Sequence, residues 1–86
     1  MSKPLFKKGD LVKFNQDFVN QMLESRKKLL EKGYTSKDLG ELPIGSLFIW
    51  SEPRIVGNTW MYDYEYGHVG ASEGSALESN LVLYKL

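Results

Sequence analysis

The chain has 86 residues, no net charge and no cysteine, which bounds it to one domain, 1–86, with a single small core and excludes disulfides, thiolate metal sites and cysteine nucleophiles. No apolar run approaches the ~18 residues of a membrane-spanning helix, and Lys3, Lys7 and Lys8 are not followed by the apolar stretch of a signal peptide, so a native, unprocessed chain in the cytoplasm is expected. Charge is unevenly spread: residues 1–33 carry eight Lys/Arg against four Asp/Glu, and residues 34–86 carry three against seven, a polarity that either steers a partner to one face or draws the two halves of the fold together.

Gly9-Asp10 reads as a turn into a short strand, Leu11-Val12-Lys13-Phe14, whose alternation places Val12 and Phe14 on one face and Leu11 and Lys13 on the other. Asn15 is placed to cap the next segment, and Asp17 adds favourable charge to its first turn. Phe18, Val19, Met22, Leu23, Leu29 and Leu30 recur at helical spacing, with Asn20, Gln21, Glu24, Lys27, Lys28 and Glu31 opposite. An amphipathic helix is therefore predicted over 16–32, ended by Gly33 with Tyr34 folding back on it. A connector follows over 34–45, with room for one turn at Ser36-Lys37-Asp38-Leu39.

From Ser46 the pattern is β. Leu47–Trp50 reads as an apolar strand, Arg54–Val56 as a short one, Gly57-Asn58 as a hairpin turn, and Thr59–Tyr66 as the clearest strand. His68-Val69 is expected to begin another strand, residues 70–75 to form a loop rich in Gly, Ala and Ser, Glu78-Ser79-Asn80 a tight turn, and Leu81–Tyr84 the closing strand. The predicted core comprises Val12, Phe14, Phe18, Met22, Leu29, Leu47, Ile49, Trp60, Tyr62, Leu81 and Leu83.

Five short strands at this spacing point to a small barrel. Gly9-Asp10-Leu11-Val12-Lys13-Phe14 resembles the opening strand of SH3-like small barrels, Trp60-Met61-Tyr62-Asp63-Tyr64 their central strand, and Glu78-Ser79-Asn80-Leu81-Val82-Leu83-Tyr84 their last turn and strand. Many short bacteriophage proteins share this opening and ending. The resemblance, over about half of the chain, implies an α+β, mainly β fold: a five-stranded antiparallel barrel or bent sheet, with helix 16–32 inserted after the first strand and packed across it. It also implies a phage protein working in the host cytoplasm.

The aromatic residues carry the functional expectation. Trp60, Tyr62, Tyr64 and Tyr66 share one face of their strand, and Met61, Asp63 and Glu65 the other. Four large rings exceed what one side of a small barrel encloses, so Trp60 and Tyr62 are expected inside and Tyr64 and Tyr66 at the surface, unless the helix covers the ladder as a lid. Trp50 either packs in the core or anchors a partner. Trp50, Tyr64 and Tyr66 are thus the candidate protein-binding residues, and Arg26, Lys27, Lys28 and Lys32 the candidate nucleic-acid-binding ones. Glu24 and Glu31 beside those cations favour a merely solvated helix face.

Catalytic and metal signals are weak. His68 is the only histidine, and a metal site needs several ligands. Gly67-His68-Val69-Gly70 has the G-x-x-G spacing of a KH loop without its helices, and Gly70–Gly74 lacks the Gly-Lys-Ser/Thr of a phosphate loop. Ser72 or Ser75 with His68 and Asp63 has no spacing that supports a triad. The expectation is a non-enzymatic module, without cofactor or metal, that recognises another protein, a host factor if the phage origin holds. The alternatives are a weak nucleic-acid-binding barrel and a structural subunit of an oligomer or virion.

Overall fold

The computed structural model describes residues 3–67 and 72–84. In chain order its elements are β1 (Leu11–Phe14), α1 (Gln16–Glu31), a one-turn α2 (Ser36–Leu39), β2 (Leu47–Ile49), β3 (Arg54–Val56), β4 (Thr59–Tyr66), β5 (Ser72–Leu77), a 3-10 turn (Glu78–Asn80) and β6 (Leu81–Leu83). The fold is α+β and mainly β: an open, six-stranded antiparallel sheet with one long helix. The expected strand start at His68-Val69 lies outside the described residues.

β4 organises the sheet. Met61 faces Arg54 on one side and Leu77 on the other, while Glu65 faces Phe48 on one side and Glu73 on the other. β5 therefore lines one edge of β4, and β3 and β2 follow one another along the opposite edge. β2 continues to β1, and β1 to β6.

Period-two alternation sorts the strands into two faces. Inward go Val12, Phe14, Leu47, Ile49, Tyr62, Tyr64, Ala76 and Leu81, and with Phe6 from the N-terminal segment they make the core. Phe18, Val19, Met22, Trp60 and Tyr66 pack against it half-buried.

The sheet has six strands rather than the expected five and is not closed into a barrel, and three further expectations need correction. Residues 72–75 are not loop but the first part of β5, a strand of small residues held by its pairing to β4 over Tyr66↔Ser72 to Met61↔Leu77. Tyr64 does not emerge: it is 6% exposed, its ring edge-on to Phe14 at a centroid distance of 5.6 Å. Leu83, expected inside, is 51% exposed, at the end of the outermost strand β6.

The helix also behaves differently from a layer packed across the sheet. Asn15 caps it, its side chain accepting from the Phe18 amide at 2.9 Å. Gly33, at φ +104°, ends it, and the Tyr34 amide reaches back to the Leu29 carbonyl at 3.2 Å, which satisfies an orphan acceptor of the last turn. Yet no residue of α1 is buried. Only its first two turns meet the core, where Phe18 stacks on Phe14 at 4.6 Å. Beyond Met22 the helix leaves the core: Leu29, expected inside, is only half-buried beside Leu39 and Leu42, and Leu23 and Leu30 lie exposed. The molecule is accordingly elongated, 44 × 27 × 24 Å with a radius of gyration of 14.0 Å, against about 12 Å for a compact chain of this length.

Candidate functional site

The outward face of the sheet is where the sequence places what the core does not need. Cross-strand register puts Leu11, Phe48, Glu65 and Glu73 in one row across β1, β2, β4 and β5. Trp50 belongs to the next row, since its amide continues the ladder by donating to the Asp63 carbonyl at 3.2 Å. Leu11, Phe48 and Trp50 are each 40% exposed. Side by side on a solvent face, where alternation calls for polar residues, they form an apolar patch.

The rest of Trp50's row is polar and closed on itself. Asp63 Oδ1 accepts from Arg54 Nη2 and from Ser75 Oγ, both at 2.7 Å, and Oδ2 accepts from Arg54 Nε at 3.1 Å and Ser51 Oγ at 3.0 Å. The two-pronged guanidinium, then the Ser75 hydroxyl, hold the Asp63 carboxyl down at about 2. Ser75 and Asp63, imagined as members of a triad, are thus engaged with each other and with Arg54, and His68 lies outside the described residues.

A second polar contact fastens the chain's start. The Tyr62 hydroxyl donates to Glu78 Oε2 at 2.6 Å and accepts from the Phe6 amide at 3.2 Å, while the Leu5 amide donates to the same Glu78 oxygen at 3.0 Å. Burial, together with the Glu78 carboxylate beside it, pushes the Tyr62 phenol up to about 12. Burial also raises Tyr64.

Two surface grooves flank these features. One, about 360 Å³, runs between α1 and the α2 segment, with Phe18, Met22, Leu29, Leu39 and Leu42 on its walls. The other, about 470 Å³, opens beside the apolar patch between residues 41–46 and the end of β4. Of the predicted protein-binding residues, Trp50 sits on the patch, Tyr66 lines the second groove, and Tyr64 is removed from the surface. Leu11 and Phe48 were missed, although strand alternation already set them outward.

The predicted nucleic-acid-binding residues do not form a unit. Arg26 turns back to hold the connector, donating to the Gly40 carbonyl at 2.8 Å and the Ser36 carbonyl at 3.4 Å. Lys27, Lys28 and Lys32 remain exposed on the helix. Among the described residues no helix is long and apolar enough to cross a membrane. Comparison of the chain with models of known families, with curated proteins and with solved structures finds no match in any of the three.

Proposed function

We propose that the protein is a non-enzymatic protein-binding module of SH3-like build, engaging its partner through the outward face of the sheet around Leu11, Phe48 and Trp50. The observation that carries the reading is the exposure of these three large apolar side chains together on the face that solvent should own. Contiguous exposed apolar patches rimmed by polar residues mark interaction sites, and aromatic residues are enriched in them. Support for the build comes from connectivity. β2 and β3 run along one edge of β4 and count as a single bent strand, which leaves the order β5, β4, β2/β3, β1, β6 with a 3-10 turn before the last strand. The commitment of Asp63 and Ser75 to Arg54 supports the non-enzymatic half of the reading.

The test is the double variant Phe48→Ser/Trp50→Ser. Both side chains point away from the core, so the melting temperature should stay within a few degrees of the parent. Proteins retained by the immobilised parent chain from a cell lysate should no longer be retained by the variant. Undiminished capture by a folded variant refutes the surface. A parent that light scattering shows to be a dimer, and a variant that is a monomer, would instead make the patch a self-association face and the protein a structural subunit.

A further inference from the structure

We infer that the segment recognised at this face is basic: an extended peptide of another protein carrying Lys or Arg beside an apolar residue, seated in the 470 Å³ groove with its cation toward Glu41 and Glu65. The inference rests on the protein-binding reading above and adds the chemistry of the ligand.

The groove is lined on its apolar side by Leu42, Pro43, Phe48 and Tyr66 and carries Glu41 and Glu65, with no Lys or Arg among its lining residues. The row that crosses it changes character along its length, from Leu11 and Phe48 to Glu65 and Glu73. Glu65 and Glu73 are direct cross-strand partners, a like-charge pairing that costs stability in a sheet. Among the described residues the one ion pair is Arg54 with Asp63, and no described cation pairs with Glu41, Glu65 or Glu73. Glu41 reaches the end of β4, its Oε2 lying 3.3 Å from where a Cβ on Gly67 would be.

A lysine or arginine side chain answers both halves of this surface. Its methylene stem packs along apolar and aromatic walls while its charged head stays at the carboxylates, and a ring face beside it adds cation–π attraction. A polyanion is repelled from the same place. The competing cationic occupant is a second copy of this chain, which displays Lys27, Lys28 and Lys32 on its projecting helix.

The experiment pans a displayed library of random peptides against the purified full-length chain and measures the selected peptides by fluorescence anisotropy. They are titrated against the parent, Glu41→Gln/Glu65→Gln and Phe48→Ser/Trp50→Ser. The expected result is enrichment of Lys or Arg next to an apolar residue, and affinity that falls as salt is raised. The Gln pair should weaken binding roughly tenfold, equivalent to about 1.4 kcal/mol. Its melting temperature should not fall, because Glu65→Gln relieves the repulsion from Glu73. Selected peptides without basic residues, or indifferent to the Gln pair yet lost with Phe48→Ser/Trp50→Ser, overturn the basic ligand and leave the binding module standing. No enrichment at all overturns both. A parent that is dimeric and becomes monomeric with the Gln pair places the second copy's helix in the groove and overturns a foreign peptide.

Discussion

A Cβ on Gly74 would lie 2.6 Å from the Tyr64 hydroxyl oxygen and 2.7 Å from the ring carbon that bears it. The ring of Tyr64 therefore fills the volume that a side chain on its cross-strand partner would need, the arrangement by which an aromatic shields a strand glycine. Gly74→Ala forces the ring off its place, with an overpacking cost of about 1–3 kcal/mol. Combined with Tyr64→Leu the two costs should add to less than their sum, and urea midpoints of the four chains measure that coupling. Strict additivity would mean that ring and glycine do not interact. Asp63 sets the other residue-scale expectation. Its carboxyl sits at about 2 when folded against an ordinary 3.8, held down first by Arg54 and then by Ser75. A depressed folded value stabilises the protein above pH 3.8, and that stabilisation is lost as pH falls toward 2. Because Arg54 is half in solvent, screening limits the effect to about 1 kcal/mol. Thermal melts should separate the parent from Asp63→Asn at pH 6 and bring the two together near pH 2; a gap that persists in acid would assign the difference to packing.

At the scale of elements, legibility followed side-chain patterning and failed where backbone pairing or neighbour shape decided the outcome. β1, β4 and α1 were readable because each has a period of its own and α1 has Asn15 and Gly33 to bound it. β3 and the turn at Gly57-Asn58 were readable from turn chemistry, with Gly57 at φ +63°. β5 was not, since Ser72-Glu73-Gly74-Ser75-Ala76-Leu77 has low β-propensity and one buried residue. It is a strand because the free edge of β4 needs hydrogen-bond partners and because Gly74 makes room for Tyr64. The burial of Tyr64 was hidden for the same reason. The helix shows the converse: its stripe was legible, but a stripe says only that a face is apolar, not how much of it finds a partner. Phe18, Val19 and Met22 reach the core, Leu29 is half-buried beside Leu39 and Leu42, and Leu23 and Leu30 stay exposed. The candidate surface was half legible, with Tyr66 found from the alternation of its strand and Trp50 from its place at the end of an apolar run. Leu11 and Phe48 were set outward by alternation but not joined into a surface, because they lie on different strands and the row they share, with its acidic end, exists only once the register across four strands is known.

For the molecule as a whole, an open sheet must be closed by something other than a strand, and the N-terminal segment supplies it. Phe6 is buried, with its ring edge-on to Tyr62 at 5.4 Å and its amide on the Tyr62 hydroxyl. Leu5 is tied to Glu78 in the turn before β6, and Gly9 donates to the Ile49 carbonyl in β2 at 2.8 Å. Residues 5–9 thereby bind the central strand, the last turn and the middle of the sheet into one cooperative unit, across sequence separations as large as 73 residues. Nothing in the segment's composition announces this, for it contributes one buried side chain among charges. With a total stability of about 4–13 kcal/mol expected for a chain of this size, a core of nine side chains cannot cheaply lose Phe6, the one among the described residues that is buried there from outside the sheet. Phe6→Ala should cost about 3–5 kcal/mol. In urea it should shift the midpoint strongly while tryptophan fluorescence and circular dichroism still change together, since sheet and belt unfold as one. A loss below about 1 kcal/mol would mean that the belt lies on a core already complete without it.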